Sequence, residues 1–217
     1  MLINNVKFHN KNSVLDVGCG EGIFLNQLSF NYKISGIGID LSSNRVTNAN
    51  RVSKRFNLNN KFLFGSFKNY RFKNKFDIIL CLDVLEHVNS PGELIEWMTQ
   101  SLKKGGRLVI QTPKGKDEKL LIKDNFFSYG KDKHLFLGFE VAQIQRYFKK
   151  SGLKLIFYKY NYFIFSQLTY EILDIIRRKS MLLYSILWPL FLPPCLLENK
   201  FKKSGRANGL FVIGEKK

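Results

Sequence analysis

Val14-Leu-Asp-Val-Gly-Cys-Gly-Glu-Gly22 is an apolar run that breaks into three glycines within five residues. A short strand over Ser13 to Val17 that meets such a turn, with a helix from Gly22 to Phe30 behind it, is the opening of a β-α unit. Glycines at such a turn let backbone approach a ligand closely. The spacing is not the dinucleotide fingerprint G-x-G-x-x-G, because its last position is Ile23. The charges also speak against a pyrophosphate. Asp16 and Glu21 flank the turn, and each would repel an anion by ~1 kcal/mol or more at short range. A cationic ligand suits them, and the ammonium and sulfonium of S-adenosylmethionine (SAM) meet that requirement.

The same alternation continues outward from this turn. Ile34 to Ile39 reads as a second strand closed by Asp40, where a carboxylate can accept both hydroxyls of a ribose. Ser42 or Ser43 caps a helix reaching about Arg55. Lys61 to Gly65 is a third strand, and Phe76 to Leu80 is a fourth, nearly continuous in apolar residues as a buried parallel strand should be. Pro91 starts a helix through Leu102, whose C-terminal end Lys103, Lys104 and Gly105 suit. Arg107 to Thr112 is a fifth strand, Phe139 to Ser151 a helix with Ile144, Tyr147 and Phe148 on one face, Leu153 to Tyr160 a sixth strand and Leu210 to Gly214 the last. Lys114 to Leu137 reads as a polar, basic loop or lid. The pattern predicts an α/β fold with a mostly parallel sheet covered by helices on both faces. A single domain spanning residues 1–217 is expected.

Four segments in register resemble the class I SAM-dependent methyltransferases: Val14 to Gly22, Gly38-Ile-Asp-Leu-Ser42, Phe76-Asp-Ile-Ile-Leu80 with Leu82-Asp-Val-Leu-Glu-His-Val88, and Leu102-Lys-Lys-Gly-Gly-Arg-Leu-Val-Ile110. The likeness covers Val14 to about Tyr160 and is strongest to the small-molecule branch that includes the ubiquinone-biosynthesis O-methyltransferases. It implies a Rossmann-like sheet of seven strands whose last member runs antiparallel beside Leu153 to Tyr160. It also implies SAM as cofactor, with Asp16, Gly18 and Gly20 lining its methionine end, Asp40 holding the ribose, Leu41 packing on adenine and Leu82 beside the sulfonium. Family members often carry an Asp after the third strand for the adenine amino group. Here Ser66 follows Gly65, and its hydroxyl is the weaker acceptor expected in that role.

Methyl transfer from a sulfonium is an in-line displacement in which orientation can supply ~7–11 kcal/mol. A base is needed only for a hydroxyl or protonated amine acceptor. His134, in the loop after the fifth strand, is the candidate catalytic base; a histidine that merely orders that loop is the competing reading. Asp83, Glu86 and His87 form D-x-x-E-H, whose members share one face if the segment is helical. The resembling ubiquinone enzymes make these three a candidate divalent-metal set, set against an anchoring role for Glu86 and His87 and an expectation of no bound metal.

Formal net charge is +18, which invites an anionic partner or reflects a composition rich in Lys, Asn and Phe. Three scattered cysteines without a CxxC pair fit a reduced cytoplasmic setting, and Met1 to Asn12 has no apolar core of a signal peptide. Tyr162 to Lys203 is an apolar insertion before the last strand, broken by Pro189, Pro193 and Pro194. Ser180 to Leu197 carries no charge and is flanked by Arg177, Arg178, Lys179 and by Lys200, Lys202, Lys203. Such a segment suits peripheral contact with the inner face of a membrane; packing on the fold or in a homodimer is the alternative.

The expected activity is therefore methyl transfer, O-methylation foremost, to a small or lipid-linked acceptor. An RNA methyltransferase and a catalytically silent SAM-binding protein are the alternatives. Cys81-Leu82-Asp83-Val84 lacks the Asn/Asp-Pro-Pro-Tyr/Phe motif of enzymes that methylate base amines, so nucleic acid is not the expected acceptor.

Overall fold

The computed structural model describes residues 6–115, 135–136, 138–161 and 208–217, together with scattered positions between 169 and 191. Seven strands form one sheet: β1 (Ser13–Val17), β2 (Ser35–Asp40), β3 (Asn60–Phe64), β4 (Phe76–Leu82), β5 (Leu102–Pro113), β6 (Leu153–Asn161) and β7 (Gly209–Lys216). Their order is β3-β2-β1-β4-β5-β7-β6. Every pair among β1 to β5 is parallel, and β7 lies antiparallel between β5 and β6. The expected antiparallel last strand is thus present, paired on both sides. The order reverses between β1 and β4, and in open α/β sheets ligands bind beyond the strand C-termini at such a point.

Among the described residues, the helices α1 (Ile23–Tyr32), α2 (Ser43–Arg55), α3 (Pro91–Ser101) and α4 (Val141–Ser151) cover the sheet. Alternation along each strand divides the core in two. Leu15, Val17, Ile79 and Cys81 point to a layer closed by Leu94, Met98, Ile144 and Phe148 of α3 and α4. Val14, Ile78 and Leu80 point to the other, closed by Leu25, Leu28, Val46 and Ala49 of α1 and α2. Helix α2 owes its direction to Val46, Ala49 and Ser53, a stripe buried at helical spacing on an otherwise polar helix. The Ser42 hydroxyl caps it by accepting Arg45 N–H at 3.4 Å.

Two expectations about boundaries are corrected. Lys103, Lys104 and Gly105 do not end α3; the chain turns extended at Leu102, and these residues sit in the early part of β5. The register jumps from Phe76↔Leu102 to Ile78↔Arg107, so Gly105, at φ +72°, serves an irregularity in the pairing of β4 with β5, not a helix cap. Phe139 is not helical. It bridges Lys114, and α4 starts two residues later after a capping box between Glu140 and Gln143. The expected lid and most of the apolar insertion, 162–203, lie outside the described residues. Within the insertion Trp188–Phe191 form a 3-10 turn. Among the described residues no helix is long and apolar enough to cross a membrane.

Candidate functional site

The turns that follow β1, β2 and β3 meet at one residue. Asp40 accepts Gly20 N–H on Oδ2 at 2.8 Å and Ser42 N–H on Oδ1 at 2.9 Å, while its carbonyl accepts Gly65 N–H at 2.9 Å. Ile39 O holds the start of the glycine turn, accepting Gly18 N–H at 2.8 Å and Cys19 N–H at 3.1 Å. A carboxylate offers about four lone-pair sites, so two remain on Asp40 for ligand hydroxyls.

Gly18 and Gly20 both adopt left-handed backbone, φ +70° and +53°, where a side chain costs roughly 1–2 kcal/mol. Their surroundings differ. A Cβ at Gly18 would meet Val84 Cγ2 at 2.3 Å, whereas one at Gly20 would meet nothing within 4 Å. Gly18 therefore lacks a side chain so that Val84 can pack, and Gly20 leaves open space beside Asp40.

Asp16, next to last in β1, is 3% exposed. Burial first and the neighbouring Asp40 second push its carboxyl up to about 7. Among the described residues no lysine, arginine or histidine pairs with it. Two carboxylates at a buried strand end with no counter-charge are an acceptor for a cation. Next to them Leu41 is 74% exposed, an apolar platform in the open beside the ribose-type acceptor Asp40. The donor set thus fits an organic cation with a hydroxylated sugar and a flat ring, as SAM is. Leu82, half-buried, ends β4 one step beyond the Val17↔Cys81 pair, at the same end of the sheet as Gly18.

Ser66 is engaged locally. Its hydroxyl accepts Lys68 N–H at 3.3 Å and caps the 3-10 turn Phe67–Asn69. One acceptor lone pair remains on it, and Gly65 N–H, bonded to Asp40, holds it near the site.

The segment Asp83 to His87 is not one helical face. The 3-10 turn spans Leu85–His87, and Asp83 precedes it at φ +53°, its N–H tied to Gln111 O at 2.8 Å. Among the described residues no three His, Cys, Asp or Glu side chains converge as a metal set, so Asp83, Glu86 and His87 do not form the candidate one. Glu86 is buried and accepts Thr112 Oγ1 at 3.2 Å; burial pushes its carboxyl up to about 7. Asp83 is exposed at the surface, yet the packing around its carboxyl raises it to about 6, opposed by His87. The carbonyl of Glu86 accepts Leu135 N–H at 2.9 Å and Phe136 N–H at 3.2 Å, which ties the chain after β5 back to the end of β4. His134 itself lies outside the described residues. Burial drives the thiols of Cys19 and Cys81 upward, leaving both as inert core groups.

Comparison with known proteins agrees with this geometry. The family described as "Methyltransferase domain" matches residues 5–167. An uncharacterized protein of Methanocaldococcus jannaschii is 34% identical over 161 residues, 73% of this chain and 63% of that protein. The mitochondrial ubiquinone biosynthesis O-methyltransferase of Dictyostelium discoideum is 31% identical over 111 residues, 46% of this chain and 35% of its own length. The chain therefore spans less than two thirds of these relatives. A solved structure of Haemonchus contortus phosphoethanolamine N-methyltransferase 2 with S-adenosyl-L-methionine superposes with a TM-score of 0.73 at 20% identity, over 99% of this chain and 51% of that one.

Proposed function

The chain belongs to the methyltransferase-domain family of class I, SAM-dependent methyltransferases, and from that premise we propose that it methylates a small or lipid-linked acceptor, at oxygen first of all. The observation that carries the cofactor half of this reading is the buried Asp16 carboxylate, without a cation among the described residues, beside a glycine turn braced by Asp40. SAM supplies a methyl group on a sulfonium, open to in-line displacement. Asp16 and the Gly18–Gly20 turn receive the ammonium end. Asp40 accepts the ribose hydroxyls with the lone pairs left after Gly20 and Ser42, Leu41 covers the adenine, and Ser66 accepts from its amino group. Leu82 narrows the cleft where the methyl would face the acceptor.

His134 is the proposed base that takes the hydroxyl proton of the acceptor, and the bonds from Leu135 and Phe136 to Glu86 support its delivery to this end of the sheet. The resemblance to ubiquinone-pathway enzymes supports the oxygen acceptor. Exposed Leu183, Trp188 and Leu190 support peripheral membrane contact by 162–203 from the cytoplasmic side, and with it a lipid-linked substrate. Incubation with methyl-labelled SAM and a panel of polyprenyl phenols and water-soluble phenols tests this. Label in the organic phase is the expected result. Label only in water-soluble products would overturn the lipid acceptor, and tight SAM binding without transfer to any acceptor would favour a silent SAM-binding protein.

A further inference from the structure

We propose that Gln111 binds the hydroxyl of the methyl acceptor and that Asn161 positions the Gln111 amide for it, an assignment that rests on the O-methyl-transfer reading. Gln111 lies near the end of β5 and pairs with Leu82, the last residue of β4. Its backbone is fixed to that strand end, because its carbonyl accepts Asp83 N–H at 2.8 Å. Leu80 and Val109 belong to the core layer under α1 and α2, so Leu82 and Gln111, two positions further along their strands, face the same way. Asp16, two positions beyond Val14 of that layer, faces there too. The proposed receiver of the cation, the side chain beside the methyl group and Gln111 therefore share one face at one end of the sheet.

On this face Gln111 and Asn161, the last residue of β6, exchange two hydrogen bonds. Gln111 Nε2 donates to Asn161 Oδ1 at 3.3 Å, and Asn161 Nδ2 donates to Gln111 Oε1 at 2.8 Å. The same face carries Val109, Phe211 and Phe157, all apolar, and Gln111 is only 6% exposed. A primary amide has two N–H groups and two acceptor lone pairs, so Gln111 keeps one of each. Leaving them unmade in such a place is costly, and two leucines would fill the space without that cost. A clasp between β5 and β6 does not explain the pair, because β7 already joins them, paired along its length on both sides.

A hydroxyl suits what is left on Gln111. Its hydrogen is given to the second lone pair of Oε1, which fixes the oxygen and leaves an oxygen lone pair to face the methyl group. Neighbouring strands stand ~4.8 Å apart, and reacting atoms meet at ~3–3.5 Å. An acceptor oxygen beside Leu82 thus falls within hydrogen-bond reach of the Gln111 amide. The amide is neither charged nor basic, so it orients the hydroxyl and leaves removal of the proton to a separate base. Asn161 does not reach the acceptor in this arrangement; it holds the amide by both ends.

The test reads binding without turnover. The full chain, saturated with S-adenosylhomocysteine, is titrated with 4-propylphenol and with 4-propyltoluene, which has a methyl in place of the hydroxyl, by ligand-observed NMR. The ratio of the two affinities isolates the hydroxyl. In Gln111→Leu that ratio should fall about tenfold, the worth of one well-placed hydrogen bond. Asn161→Leu should lower it as well, and Asn161→Asp, which still accepts from Gln111 Nε2, should restore it. A purely structural clasp predicts lower melting temperatures in both leucine variants with the ratio unchanged, and that result would overturn the proposal. Asn161→Asp behaving like Asn161→Leu would overturn the positioning role of Asn161. If the wild type transfers label from SAM to a phenol while Gln111→Leu keeps the ratio, this assignment alone fails. If the wild type neither binds nor methylates any phenol, the O-methyl-transfer reading fails with it.

Discussion

Raising the pH from about 5 to about 7 should tighten SAM binding, because it ionises Asp16. Burial and then Asp40 place that carboxyl at about 7 in the empty protein. Its ionised fraction is then about 1% at pH 5 and about one half at pH 7. The ligand's ammonium, with an ordinary value near 7.7–8.0, keeps its charge over most of that interval. If the cation binds the ionised form, affinity rises about fifty-fold, roughly 2.3 kcal/mol. Binding at the lower end should release close to one proton, seen as a dependence of calorimetric heat on the ionisation enthalpy of the buffer. Asp16→Asn should bind at the weak low-pH level and lose the slope. The same group acts on stability with the opposite sense. A folded-state value raised above the unfolded one near 4 gives stability that is complete below about pH 4 and lost as pH rises through about 7. The penalty approaches about 4 kcal/mol, so Asp16→Asn should raise the melting temperature of the empty protein at pH 8 and change it little at pH 4. An affinity flat between pH 5 and 7, or an equal slope in Asp16→Asn, would refute this account; the latter would hand the titration to Glu86, which also sits at about 7.

Gly20→Ala should fold, with a loss of only about 1–2 kcal/mol from its left-handed backbone, yet lose SAM binding by calorimetry because its Cβ enters the open cradle; Gly18→Ala should melt much lower, since Val84 must move. Asp40→Ala should weaken SAM by roughly 1.5–3 kcal/mol through the ribose alone, and also lower the melting temperature because Gly20 and Ser42 lose their acceptor; unchanged affinity would remove Asp40 from the site. Changing Arg177, Arg178, Lys202 and Lys203 together to Gln should detach the protein from anionic vesicles in flotation while SAM affinity holds, and wild-type binding should weaken with salt; vesicle binding indifferent to both would sink the membrane reading.

The glycine turn, its acidic flanks and the β-α alternation were legible because each is a local pattern. Val14 to Gly22 carries strand, turn and charge within nine residues, and a carboxylate at Asp40 follows from the strand that ends there. What needed the tertiary structure was every fact that depends on two distant segments meeting. Asp40 braces the turns after β1 and β3 as well as its own, and no spacing in the sequence says so. Asp83, Glu86 and His87 have helical spacing but no helix: Asp83 sits in left-handed backbone at φ +53°, its N–H held by Gln111 of the neighbouring strand, and only a 3-10 turn follows. Lys103 to Gly105 read as a helix end and became sheet, since the pairing of β4 with β5 begins at Leu102 and outweighs the local cap signal. The elevated carboxyls of Asp16 and Glu86 belong to the same class: a side chain's type is written in the chain, but its solvation is decided by what folds over it.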